Sequence, residues 1–281
     1  MLTARNNPAV SLSTRRWAVG LAREGLLLDE SSWRVIERIL LKTAAVHPGG
    51  LVHAAARMHG APEEHALIAA SACEMFYGGC SAGDDLQDGD TDAYLDGVPF
   101  SLRLNAQVHL LSLVEARLQD LPCGSEMDRP RPFSTLAAML TGQRMEILRN
   151  PWNIDVYERV ARLSAGEQFS FYLHTAACAA GCSINALRGF GYALGTLLQV
   201  IADLESGDER FIAFPQARRD NLLHRLIEEV QWAVRPLGGL LDEQVKELLL
   251  RCPPSAVSGI HGSSPSMSGP PSKKVHHSPQ L

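Results

Sequence analysis

Apolar residues recur with helical period in almost every segment of this chain, and long β-branched alternations are missing, which predicts an all-α architecture. The periodic stretches cover residues 15–26, 31–46, 63–83, 100–121, 133–149, 154–163, 166–181, 184–204, 215–236 and 240–251. Strong breakers separate several of them: His47-Pro48-Gly49-Gly50, Gly60-Ala61-Pro62, Leu121-Pro122-Cys123-Gly124 and Asn150-Pro151. A hydrophobic share of 46% over 281 residues is enough to fill one sizeable core, and we find no internal repeat. The predicted organisation is a disordered N-terminus over 1–14, one all-α domain over 15–252 and a disordered tail over 253–281. That tail is rich in Ser, Pro and Gly and cannot bury enough apolar area to offset the entropy of ordering.

At the end of the apolar run over 63–83 stands Gly83-Asp84-Asp85-Leu86-Gln87-Asp88, with carboxylates at i, i+1 and i+4. On a helix, i and i+4 share a face, so Asp84 and Asp88 can hold a hard cation between them. Crowded carboxylates repel one another and favour a divalent ion. Mg²⁺ takes one or two protein carboxylates and completes its shell with water and phosphate oxygens, which makes a diphosphate the first substrate hypothesis. An EF-hand does not fit: Leu86 occupies the third loop position, where an oxygen is required, and Leu95 stands in place of the terminal Glu.

The formal charge of −5 and the absence of a Lys/Arg stripe argue against a nucleic-acid partner. No window reads as a membrane span, and Arg5, Arg15, Arg16 and Arg23 break any signal-peptide core, so a cytoplasmic location is expected. The six cysteines are scattered; Cys178 and Cys182 lack a second pair at zinc spacing and read as buried free thiols. His109 and His174 fall in mid-helix and read as satisfied structural histidines rather than bases.

The acidic cluster at a helix end inside an all-α chain resembles the polyprenyl (isoprenyl) diphosphate synthase family, the class I trans-prenyltransferases, with this chain a divergent member. Other positions match in order over residues 45–220. Glu74-Met75-Phe76-Tyr77 falls where the family reads Glu-Leu-x-His, and Gly142-Gln143 with Glu146 resembles its Gly-Gln-x-x-Asp. Tyr157 precedes the place of its Lys-Thr pair, and Phe190-Gly191, Gly195 and Gln199 resemble the helix leading to the second Asp-rich motif. Phe214-Pro215 matches a short Leu/Tyr-Pro that follows it. The resemblance implies a single large helical bundle of the isoprenoid synthase type around a deep apolar pocket, with two Asp-rich motifs at its mouth binding Mg²⁺ and an allylic prenyl diphosphate. Asp84, Asp85 and Asp88 are then the catalytic and metal-binding carboxylates. Asp203 is their opposite partner, with Glu205, Asp208 or Glu209 as helpers, facing Asp84 across the mouth. Phe76, Tyr77, Gln143 and Gln199 would bind substrate, as would Gly79, whose small size leaves room for a long chain. Phe169, Phe171 and Tyr172 could also line the pocket and stabilise a cation through their ring faces.

The departures concern cations. The family's Gly-Gly-Lys-Arg-x-Arg-Pro corresponds to Gly49-Gly50-Leu51-Val52-His53-Ala54-Ala55, and its Arg-Arg-Gly-x-Pro to Leu95-Asp96-Gly97-Val98-Pro99. The Lys-Thr pair lands on Ser164-Ala165, and the second motif keeps only Asp203 in register. A diphosphate needs charge-assisted hydrogen bonds and bidentate arginines, so isopentenyl diphosphate is not expected to bind in the family manner. Arg144 and Arg149 are the remaining cations near Gln143 that could compensate. Three functions follow from the resemblance: Mg²⁺-dependent prenyl transfer to an acceptor other than isopentenyl diphosphate, cyclisation or elimination by a class I terpene cyclase or lyase, and a non-catalytic partner subunit of a synthase. A homodimer or heterodimer is compatible with each.

Overall fold

Why the helices fall where they do is clearest at two sequence breakers. The computed structural model describes residues 16–20, 23, 30–41, 48–88, 95–123, 128–148, 152–182 and 184–237, with the side chains of Asp88 and Ile184 excepted. Within them every regular element is helical: α1 (Glu30–Leu41), α2 (Pro48–Met58), α3 (Glu63–Asp88), α4 (Phe100–Leu118), α5 (Pro132–Ile147), α6 (Ile154–Ala161), a π-helical turn (Arg162–Gly166), α7 (Glu167–Ala180), α8 (Ile184–Ser206), α9 (Glu209–Ile212), α10 (Gln216–Val234) and a final 3₁₀ turn (Arg235–Leu237). The predicted helix over 240–251 and both predicted disordered segments lie outside the described residues.

The Pro48-Gly49-Gly50 breaker opens helix α2, which the periodicity did not predict. Proline suits a first helical turn because its missing N–H has no intrahelical partner there. Gly49 is required for a second reason: its N–H donates to Glu74 Oε1 on α3 at 3.0 Å, and a Cβ at this position would sit 2.6 Å from that oxygen. The other unpredicted helix, α9, is initiated by Asp208, whose Oδ1 accepts the Arg210 and Phe211 N–H groups at 3.0 and 3.1 Å. Helix α8 stops just before it at Gly207, which takes a positive φ of 73°.

Helix α3 packs against α1, α2, α4 and α7, while α8 packs against α7, the π turn and α10. Close approach of α8 depends on its glycines: a Cβ on Gly195 would lie 2.2 Å from the Ala165 carbonyl oxygen, and one on Gly191 would lie 2.4 Å from that of Phe169. The core between α3 and α7 is aromatic, with Phe76 fully buried and its ring 4.5 Å from that of Phe171 and 6.5 Å from that of Tyr172. Arg162 in the π turn reaches Glu229 on α10 at 2.7 and 3.0 Å and Glu158 on α6, and Arg225 also reaches Glu158 at 2.7 Å. These pairs fix the turn against α10, although such half-exposed pairs contribute only about 1 kcal/mol each.

No described helix is long and apolar enough to cross a membrane. The five described cysteines, Cys73, Cys80, Cys123, Cys178 and Cys182, are free thiols.

Candidate active site

Helix α3 presents Tyr77, Cys80, Ser81, Asp84 and Gln87 along one face, a spacing of three and four residues, and that face forms a wall of a cavity of about 770 Å³. Opposite walls come from α5 (Leu136, Met139, Leu140, Gln143, Glu146 and Ile147), from α6 and the π turn (Tyr157, Val160, Ala161 and Ser164), and from α8 (Gln199 and Asp203). Gln107, Trp152, Ala165, Gln168 and Arg210 complete the lining, which combines apolar side chains with glutamines and charged groups. Gly83 also lines it, and a Cβ there would collide with the Gln107 amide at 2.1 Å.

Asp84 and Asp203 thus line one cavity from α3 and α8. Asp84 is exposed, and its Oδ1 accepts a 2.6 Å hydrogen bond from Gln143 Nε2 on α5. That bond ties two of the resembling motifs together. Burial, with the Asp84 charge added to it, pushes the thiol of the neighbouring Cys80 up to about 12. Asp203 is held on both oxygens: Tyr157 OH donates to Oδ2 at 2.6 Å and Gln199 Nε2 to Oδ1 at 2.8 Å. Burial raises its pKa, the nearby Asp208 charge adds to the rise, and the two hydrogen bonds oppose it. Tyr157 is raised for the same reasons, burial first and then Asp203, so its hydroxyl stays a donor. Its ring stacks on Phe211 at 4.8 Å and meets the edge of Trp152 at 6.3 Å.

The other predicted residues fall elsewhere. Asp85 is half-buried on α3 and does not line the cavity, and the Asp88 side chain lies outside what is described. Phe76, Phe169, Phe171 and Tyr172 are core residues, and Tyr77, Trp152 and Tyr157 are the aromatics that line the cavity. Gly79 faces Leu111 of α4, whose Cγ would lie 3.0 Å from an added Cβ, so its small size serves helix packing instead of pocket depth. Glu205 and Glu209 are exposed, and Asp208 is engaged in capping α9 and binding Arg210. Burial alone would raise Asp208, but Arg210 and the cap N–H groups hold it below the usual value.

Arg144 is exposed and does not line the cavity, and Arg149 lies outside the described residues. The cation that does line it is Arg210, which pairs with Glu146 on α5 and with Asp208 Oδ2 at 3.0 Å, its guanidinium 6.0 Å from the centre of the Trp152 ring. Where the resembling family carries arginines and lysines, Leu51 is 7% and Val52 0% exposed in the core under α2, Leu95 is 1% exposed, and Ser164 Oγ returns a hydrogen bond to Val160 O at 2.7 Å. Leu51, Val52 and Leu95 are thus packing positions, whereas Ser164 lines the cavity without a charge. No group of three or more His, Cys, Asp or Glu side chains forms a metal cage among the described residues. Two hard carboxylates, Asp84 and Asp203, line the same cavity, and such a donor set suits an ion that fills its shell with water and ligand oxygens.

No protein-family model and no curated protein matches the chain by sequence. Solved structures do match. An isoprenoid synthase family member from Thermotoga neapolitana superposes with a TM-score of 0.72 at 16% identity, covering 85% of this chain and 98% of that one. Geranyltranstransferase from Thermotoga maritima gives a TM-score of 0.68 at 18% identity, covering 85% and 98%. The geranyl diphosphate synthase small subunit from Antirrhinum majus gives 0.63 at 15% identity, covering 88% and 99%. The chain has the all-α, polyprenyl diphosphate synthase-like fold of the isoprenoid synthases.

Proposed function

We propose that the protein is a Mg²⁺-dependent prenyltransferase of isoprenoid biosynthesis that ionises an allylic prenyl diphosphate and passes the prenyl group to an acceptor other than isopentenyl diphosphate. The observation that carries this reading is the shared cavity of Asp84 and Asp203, whose size of about 770 Å³ lies within the range of about 300–1,000 Å³ common for small-molecule sites. Asp84 and Asp203, with Asp88 one helical turn beyond the former, would hold the metal. When bound, Mg²⁺ would neutralise the charge that develops on the leaving diphosphate. The chain's own residues supply the rest. Gln143 orients Asp84; Tyr157 and Gln199 orient Asp203. Tyr77, Trp152 and Tyr157 offer ring faces to an allylic cation, and the apolar residues of α5 and α6 shield it from water. Free thiols at all five described cysteines fit a reducing, cytoplasmic setting.

The acceptor is inferred from the buried apolar residues that replace the cations of the second diphosphate site, Leu51, Val52 and Leu95. Each lost charge-assisted bond would forfeit about 1.5–3 kcal/mol of binding, so several together reduce affinity by orders of magnitude. Incubation with geranyl, farnesyl and geranylgeranyl diphosphates and Mg²⁺, with and without isopentenyl diphosphate, tests both halves. The expected result is Mg²⁺-dependent release of pyrophosphate without a five-carbon-longer diphosphate. Efficient chain elongation would overturn the acceptor assignment, and cyclic or diene products would favour a terpene cyclase or lyase on the same substrate.

A partner-subunit reading draws on a separate observation. Helix α4 exposes Phe100 (64%), Leu104 and Val108, an apolar face suited to a second copy or a synthase subunit. The similarity to a geranyl diphosphate synthase small subunit fits this reading. Turnover by the protein alone would overturn the non-catalytic form of it.

A further inference from the structure

Arg210 is the one cationic side chain among the described residues lining the cavity, which it shares with the carboxylates of Asp84, Glu146 and Asp203. Its two anionic partners are not equivalent. Asp208 is anchored: the same carboxylate caps α9 through the Arg210 and Phe211 N–H groups while it receives Arg210 Nη2 at 3.0 Å and Nε at 3.4 Å. Glu146, on the far wall, is one-third exposed and pairs with Arg210 Nη1 and with no other described residue. The Arg210 side chain itself is 52% exposed. Asp208 and the Trp152 ring therefore hold the guanidinium at the cavity wall when Glu146 lets go. A guanidinium fork can keep one carboxylate on one edge and accept a second anion on the other.

From this arrangement the geometry points to an exchangeable clasp: the Arg210–Glu146 ion pair joins α9 to α5 across the cavity, and the diphosphate of the substrate displaces Glu146 from Arg210. The inference rests on the proposed diphosphate chemistry and adds a specific anion-binding residue that is not part of any motif carrying the family resemblance. It makes Arg210 a stabilising contact for the anion and Glu146 its competitor, so the two residues act with opposite sign.

Calorimetric titration of inorganic pyrophosphate in Mg²⁺ into the full-length protein tests the exchange. Arg210→Met should weaken binding about tenfold or more, the value of one charge-assisted contact. Glu146→Gln frees the guanidinium and should tighten binding by about threefold or more. In the double variant the gain from Glu146→Gln should vanish, because it acts only through Arg210. Weaker or unchanged binding in Glu146→Gln overturns the clasp, since a purely structural ion pair would lose affinity from either side. A gain that persists in the double variant also overturns it, and assigns the effect to general charge. If wild-type protein binds no pyrophosphate with Mg²⁺, the diphosphate reading fails and takes the clasp with it; if wild type binds and the variants match it, the clasp alone fails. Thermal unfolding of each variant separates lost binding from lost folding, and the Glu146→Gln arm stands even where Arg210→Met does not fold.

Discussion

Replacing Tyr157 by Phe should remove one hydrogen bond and leave the ring where it is, because stacking on Phe211 at 4.8 Å and edge contact with Trp152 at 6.3 Å do not involve the hydroxyl. The lost donor is the 2.6 Å bond to Asp203 Oδ2, made by a side chain only 5% exposed. Hydrogen bonds to a charged acceptor contribute about 1.5–3 kcal/mol, against about 0.5–1.5 kcal/mol for a neutral pair. At neutral pH the substitution should therefore lower the melting temperature by about 3–12 °C, taking about 2–4 °C per kcal/mol for a chain of this size. The pH dependence carries the sharper test. Burial raises the Asp203 pKa in the folded protein and the Tyr157 hydroxyl opposes that rise, so the variant's Asp203 must titrate higher still. The stability gap between wild type and variant is then full above the variant's Asp203 pKa and narrows as pH falls through the wild-type value, in a window above the ordinary aspartate range. Thermal unfolding followed by circular dichroism across that range reads it directly. A gap that stays constant with pH would refute the assignment of Asp203 as the charged acceptor.

Two further outcomes follow from the same geometry. Gly195→Ala puts a methyl 2.2 Å from the Ala165 carbonyl oxygen, a backbone atom that cannot swing away, so urea unfolding should show a loss of about 1–3 kcal/mol or more. Because the Asp203 pKa is raised, Mg²⁺-dependent diphosphate binding that uses its ionised form should fail, on acidification, at a higher pH than an ordinary aspartate would allow, and Asp203→Asn should abolish that part of the profile.

The helical architecture was legible because period and breakers agree over most of the chain. Asp84, Gln143, Gln199 and Asp203 were legible because each sits in a spaced motif, and the cavity brings all four to one place. What escaped was long-range. Pro48-Gly49-Gly50 reads as a turn until Glu74, far along the chain, is seen to need a glycine against it. Tyr77 was assigned to the pocket and lines it, whereas Phe76 and Gly79, assigned with it through the resemblance, do not; stepping back from Asp84 by threes and fours gives Ser81, Cys80 and Tyr77, the residues that line it. That signal was available. Arg210 was not legible as a cavity residue, since only the meeting of α9 with α5 pairs it with Glu146. Exposed Arg144, beside Gln143 in sequence, points away from the role its position suggested.

The most direct measurement of the central claim is calorimetric titration of an allylic diphosphate, farnesyl diphosphate, into wild-type protein and single aspartate variants, with and without Mg²⁺. A metal-bridged diphosphate site at the cavity of Asp84 and Asp203 predicts binding only with Mg²⁺, sharply weakened in Asp84→Ala and Asp88→Ala and little changed in Asp90→Ala or Asp92→Ala. Equal losses at all four positions, or binding indifferent to Mg²⁺, would contradict it and reduce the acidic cluster to a charged helix end.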